Sequence, residues 1–201
     1  MQEPIGAVVR VGDDELMARV GAGDRDAFAT LVDRYKDAIV NYTTRLTGDR
    51  DRAQDLAQET FLRLFRSAPR YSEQGQLRAY LYRIATNLVR SEVRRERRLR
   101  LLQPLLFGAG PAAEPPSSAA SLLRDELQRQ VAAAVAALPL RWRLPLVLHE
   151  IEGWSYAAIA AQLGLREGTV KSRIHRGRRQ LRRALEPYWN GGTAAWKTTA
   201  G

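Results

Sequence analysis

Residues 155–174 read SYAAIAAQLGLREGTVKSRI. Ala160 stands where two helices would touch, and Gly164 follows four residues later, where a tight turn needs a left-handed backbone. Val170 and Ile174 then anchor a second helix in a core. This spacing predicts a helix-turn-helix. Carried on to residue 185, the helical wheel aligns Val170, Ile174, Gly177, Leu181 and Leu185 as one buried stripe. Ser172, His175, Arg176 and Arg179 fall on the opposite face, with Arg173 on its flank. An outward basic helix can be merely solvated. Here residues 166–183 hold eight Arg or Lys against Glu167, a balance of +7 behind a DNA-binding type of turn. Thr169 and the open amides near Gly168 sit at the helix N-terminus, where the dipole favours a phosphate. The second helix is therefore expected to enter a duplex major groove.

Working outward, the whole chain has 201 residues and a net charge of +10, and lysine occurs only at positions 36, 171 and 197. The basic groups are thus mainly planar arginine forks, suited to phosphates and base edges. A polyanionic partner is expected. No cysteine is present, so disulfides, thiolate zinc sites and cysteine nucleophiles are excluded. The two histidines lack ligand-spaced companions, and no nucleophilic triad, glycine-rich phosphate loop or metal cluster is legible. The reading is of a non-enzyme without cofactor or metal, with no membrane insertion, in a reducing cytoplasm.

Apolar residues recur at helical spacing throughout, so the fold class is all-α, with two small helical domains joined by a flexible linker and the helix-turn-helix in the C-terminal one. Residues 1–11 read as a tail and 12–98 as a four-helix domain. Its helices lie near 14–20, from Asp24 to Gly48, across 53–65, and from 76 to 98. The stretch 99–121, rich in Pro, Gly, Ala and Ser after residue 101, reads as the linker. Residues 122–186 form the second domain, where Pro145 should delay or kink a helix opened by Pro139. Residues 187–201 read as a frayed tail.

Two further constellations stand out. On the helix 76–98, Arg83, Asn87, Arg90, Arg94 and Arg97 share one stripe beside the apolar residues Leu77, Leu81, Ile84 and Leu88. Asparagine can offer a donor and an acceptor to a base edge, and Tyr80 and Tyr82 offer rings for stacking, which together suit single-stranded nucleic acid. The alternative is a solvated face with buried tyrosines. In DLAQETFLRLF (55–65), Leu56, Thr60, Phe61 and Leu64 can fill a core, while Leu62 and Phe65 need another cover beside Asp55, Gln58 and Glu59. That cover is either a protein partner or a neighbouring helix.

Three stretches in series, DRAQDLAQETFLRLFR (51–66), LRAYLYRIATNLVRSEVRR (77–95) and LPLRWRLPLVLHEIEGWSYAAIAAQLGLREGTVKSRIHRGRRQL (138–181), resemble the bacterial extracytoplasmic-function (ECF) sigma factors, two-domain specificity subunits of RNA polymerase. The resemblance implies that 12–98 captures the non-template strand of the minus-ten element, with Tyr80, Arg83, Asn87, Arg90 and Arg94 on the strand and Asn87 at a flipped-out base. It implies that Asp55, Gln58, Glu59, Leu62 and Phe65 dock on the clamp helices of core polymerase. It assigns the minus-thirty-five duplex to Thr169, Lys171, Ser172, Arg173, His175, Arg176 and Arg179, in a domain that also meets the flap region. An anti-sigma factor is a further expected partner. Tyr80, Ser91, Arg52 and Gln54 depart from the residues frequent in that family.

Overall fold

The computed structural model describes residues 11–72, 75–106 and 124–189. Every regular element among them is helical: α1 (Asp13–Gly21), α2 (Arg25–Thr47), α3 (Arg50–Ser67), a 3-10 turn (Ala68–Arg70), α4 (Leu77–Leu106), α5 (Arg124–Ala137), α6 (Leu140–Glu150), α7 (Tyr156–Leu163) and α8 (Glu167–Trp189).

Short polar residues set the boundaries. The Asp24 carboxylate accepts from the amides of Asp26 and Ala27 at 2.9 and 3.0 Å, which opens α2. Gly48, at φ +75°, closes it. Asp49 repeats the device for α3, accepting from Asp51 and Arg52 at 3.0 and 3.1 Å. In the first domain α1 to α4 surround Leu16, Met17, Leu31, Ile39, Leu46, Leu64, Leu77 and Leu81, all buried. Buried hydroxyls lie inside this apolar core, and each has a partner. Tyr42 Oη and Thr86 Oγ1 pair at 2.8 Å, joining α2 to α4, while Thr43 Oγ1 reaches the Ala53 carbonyl of α3 at 3.0 Å.

In the second domain Ser155 caps α7 by accepting from the Ala158 amide at 3.1 Å. Gly164, at φ +66°, ends it, and the Leu165 amide bonds back to the Ala160 carbonyl at 2.9 Å. That closed turn aims α8 across α6. Val170, Ile174 and Gly177 are buried there, and Leu181 and Leu185 are half-buried, as the apolar stripe predicts.

Several boundaries differ from the sequence reading. Helix α4 runs to Leu106 rather than Arg98, because residues 95–103 are all Arg, Glu, Leu or Gln, good helix formers that carry it into the expected linker. Helix α6 starts at Leu140 and passes through Pro145 instead of starting late: Leu144 to Leu148 are all buried, and their packing outweighs the single hydrogen bond that proline removes. Helix α8 extends to Trp189, beyond the Leu185 read from sequence. The remainder of the linker (107–121), most of the N-terminal tail and residues 190–201 lie outside the described residues.

The two domains pack against each other. Arg143 of α6 donates to the carbonyl of Leu46 at the end of α2, and Ala136 of α5 lies beside Gly48. The Gln162 side chain of α7 donates to the Ala79 carbonyl of α4 at 3.4 Å.

Candidate nucleic-acid and partner interfaces

The outer face of α8 is open. Lys171, Ser172, His175, Arg176 and Arg179 are exposed, and Thr169 and Arg173 are half-buried. Ser172 Oγ donates to the Thr169 carbonyl at 3.0 Å, which leaves its lone pairs facing outward. Lys171 sits 5.5 Å over the Tyr156 ring, which itself stacks on His149 at 4.6 Å. The ring thereby orients the ammonium of the first basic residue in α8. Arg178 is not part of this face: it pairs with Glu150 of α6 at 2.6 Å. Thus the turn and the stripe bring Lys171, Ser172, His175, Arg176 and Arg179 to the exposed side of α8 and leave Thr169 and Arg173 half-buried at its edge, while α6 diverts a neighbouring arginine.

On α4, Arg83, Asn87, Arg94 and Arg97 are exposed and Arg90 is half-buried. Arg83 lies 5.0 Å over the Tyr80 ring, and that ring meets Tyr71 edge-on at 5.3 Å. Tyr80 is therefore a half-buried ring held between an aromatic and a cation. Arg94 donates to Ser91 Oγ at 3.0 Å. Tyr82 does not fit its expected part as a stacking ring. It is fully buried, 4.7 Å from Tyr42 on one side and 5.4 Å from Trp154 of the second domain on the other. The apolar stripe of α4 is accordingly wider than the sequence suggests, because Tyr82, Ala85 and Val89 are buried in addition to Leu77, Leu81 and Leu88, with Ile84 half-buried.

On α3, Asp55 and Gln58 are exposed, and Glu59 accepts from Arg63 at 2.8 Å. Leu62 remains 47% exposed and Phe65 39%. Phe65 meets the Phe28 ring edge-on at 5.0 Å, so a neighbouring helix covers part of it, whereas Leu62 is left open to solvent. The neighbouring-helix alternative therefore holds for part of Phe65, while Leu62 stays exposed. Arg52 bridges α3 to Glu96 of α4.

Among the described residues no group of three or more His, Cys, Asp or Glu could hold a metal ion. None of their helices is long and apolar enough to cross a membrane.

Residues 31–99 match the family described as Sigma-70 region 2, and residues 128–181 match Sigma-70, region 4. The chain is 34% identical to the ECF RNA polymerase sigma factor SigW of Bacillus subtilis over 177 residues, covering 83% of this chain and 93% of that protein. The chain belongs to the ECF sigma factors. It is also 41% identical over 165 residues to the ECF RNA polymerase sigma factor SigE of Mycolicibacterium smegmatis; this covers 80% of the chain but spans only 63% of that relative's length. Among solved structures, the sigma factor RpoE of Bartonella quintana, crystallised with the anti-sigma factor NepR, aligns with a TM-score of 0.63 at 25% identity over 79% of this chain and 96% of that one. The region 2 match takes in α3 and most of α4, and the region 4 match holds the complete helix-turn-helix. Sigma factors as a family are not enzymes.

Sequence reading missed the residues that join the domains of this ECF sigma factor: Arg78, Arg143, Glu152 and Trp154. Each looks like an ordinary helix-surface or turn residue locally. Only the contacts between distant segments distinguish them.

Proposed function

We propose that this chain is a non-catalytic specificity subunit that acts in the cytoplasm: it binds core RNA polymerase, recognises minus-thirty-five and minus-ten promoter elements, and promotes DNA melting and transcription initiation. The observation that carries the reading is the presence, on one chain, of a helix-turn-helix with an open basic face and a second helix whose exposed stripe alternates arginines with Asn87. Duplex readers need only the first, and strand capture needs the second.

In this reading Thr169, Lys171, Ser172, Arg173, His175, Arg176 and Arg179 contact the minus-thirty-five duplex, with Thr169 and the first amides of α8 holding a phosphate. Tyr80, Arg83, Asn87, Arg90 and Arg94 take the melted strand. Melting is favoured by capture: a flipped base held by Asn87 offsets an unstacking cost of a few kcal/mol. Asp55, Gln58, Glu59, Leu62 and Phe65 dock on the polymerase clamp helices, where the uncovered Leu62 supplies an apolar anchor within an acidic rim. Region 4 contacts the flap, and an anti-sigma factor is the expected antagonist, by analogy with the Bartonella complex.

The deciding experiment is run-off transcription from a promoter-fragment library with bacterial core polymerase of the same source, paired with size-exclusion co-elution. Transcripts that require the chain, together with co-elution, support the reading. Tight duplex binding without either would instead make it a free-standing regulator.

A further inference from the structure

Three helices distant in sequence converge on one cavity, and each brings arginine to it. Arg90 and Arg94 stand one helical turn apart on α4, Arg141 is the second residue of α6, and Arg173 lies in the second turn of α8. All four line a space of about 270 Å³ over an apolar floor that includes Leu144, Pro145 and Leu163. Among the described residues that line it there is no Asp or Glu. Elsewhere arginines that cross between helices meet a carboxylate: Arg34 pairs with Asp13, Arg52 with Glu96 and Arg178 with Glu150. Here four guanidiniums meet without one.

The surroundings sharpen the demand for an anion. Burial, with Arg173 and Arg94 nearby, pushes the Arg90 guanidinium below its ordinary range. Arg141 lies 5.1 Å over the Trp142 ring, and Arg94 donates to Ser91 Oγ at 3.0 Å, so two of the forks are steadied by neighbours on their own helices. Helix α6 starts beside the cavity with no side-chain cap, and the positive end of its dipole adds to the guanidiniums. The apolar floor keeps the local dielectric low, which strengthens every charge interaction in the space. At about 30 Å³ per molecule the cavity equals roughly nine waters. That is room for a di- or triphosphate group and too little for a duplex.

We propose that this cavity is a binding site for a condensed phosphate, either free pyrophosphate or the phosphate chain of a nucleotide, held by Arg90, Arg94, Arg141 and Arg173. Planar forks from three directions match the oxygens of such an anion, which presents more charge and more acceptors than orthophosphate or sulfate. The site goes beyond the promoter contacts, because Arg141 has no part in them. Only its consequence rests on the proposed function: RNA synthesis consumes nucleoside triphosphates and releases pyrophosphate, and an anion held here occupies Arg90 and Arg173, which are assigned there to DNA.

Isothermal titration of the full chain at constant ionic strength, in magnesium-free buffer, tests the site with pyrophosphate, tripolyphosphate, ATP, orthophosphate and sulfate. Pyrophosphate should saturate one site per chain and bind roughly tenfold or more tighter than sulfate. Arg90→Gln and Arg141→Gln should each weaken it roughly tenfold, as expected for losing hydrogen bonds to a charged group. Arg25→Gln, at the exposed start of α2, removes the same charge and should change little. Arg141→Gln should also leave duplex affinity unchanged, which separates this site from the DNA-reading face. Far-UV circular dichroism and melting of each variant check that both domains remain folded. Sulfate binding as tightly as pyrophosphate, titration without saturation, or equal losses in all three variants overturns the site. ATP binding tighter than tripolyphosphate assigns a nucleotide with its base on the Leu144 and Pro145 floor, and equal binding assigns the free anion; both retain the condensed-phosphate site. Saturable binding that needs Arg141 while run-off transcription fails would keep the site and discard the sigma reading. Transcription without saturable binding would discard only the site.

Discussion

Salt dependence of duplex binding tests the assignment of α8 most directly, and its size follows from the structure. Residues 166–183 contain eight Lys or Arg, but Arg178 is held by Glu150 at 2.6 Å and Arg166 lies in the turn before the helix. Six cations remain on α8, namely Lys171, Arg173, Arg176, Arg179, Arg182 and Arg183, and Arg173 is the only one of them half-buried. If all six displace counterions, the log-log slope of affinity against salt is roughly −5, at about 0.9 per phosphate. Raising salt fourfold, from about 50 to 200 mM, then weakens binding roughly a thousandfold. Fluorescence anisotropy with a mixed-sequence 30-base-pair duplex gives the slope. Arg182→Ala should reduce it by about 1 without altering sequence preference. Arg176→Ala, on the helix face that would meet base edges, should cost about 1 to 3 kcal/mol on a preferred duplex and change the preference. A slope shallower than about −2 would refute the phosphate count, and an Arg176→Ala variant with unchanged preference would demote that residue to a solvated position.

Asn87→Ala should slow open-complex formation, read by permanganate reactivity of unpaired thymines, while co-elution with core polymerase is unchanged. Leu62→Asp should abolish that co-elution and leave helix content intact, because the side chain is 47% exposed and packs little in the free chain; retained binding would remove the patch from the polymerase contact. Gly164→Ala should lower stability by about 1 to 2 kcal/mol through the left-handed backbone alone, since nothing lies within 4 Å of the added methyl. Gly168→Ala, with equal space and an ordinary helical backbone, should raise it by about 0.5 to 1 kcal/mol, so thermal melts of the two must move in opposite directions. Finally, burial and then the hydrogen bond to Glu152 push the Tyr82 hydroxyl up to about 12. Glu152, Arg78, Arg45 and the hydroxyl of Tyr42 are the polar or charged groups around it. The sign follows: a raised value means the contribution of the Tyr82 hydroxyl to stability is complete below pH 10 and fades between 10 and 12. The melting temperature should fall more steeply across that window than it does in Tyr82→Phe.

The helix-turn-helix was legible because its constraints are local. Gly164 must be left-handed, Val170 and Ile174 must be buried, and those two demands set which face of α8 is free. The α4 stripe was less so. A helical wheel can separate Asn87 from Leu81, yet it cannot say that Tyr82 has a second aromatic wall, because Trp154 lies 72 positions away in sequence. The end of α4 was misread for a related reason: the Pro, Gly and Ser content that marks the linker starts after a run of helix formers that belongs to the preceding helix.

The residues that escaped sequence reading share one property, which explains both their obscurity and their effect. Glu152 is a carboxylate in a basic chain, and its side chain reaches across to the other domain. Its partners Arg45, Arg78 and Tyr82 all belong to α2 and α4 of the other domain. A charge held at 10% exposure is costly to desolvate unless its partners arrive with it. Docking of the two domains therefore supplies the hydrogen bonds that make the burial tolerable. An interface built this way has a small net free energy made of large opposing parts.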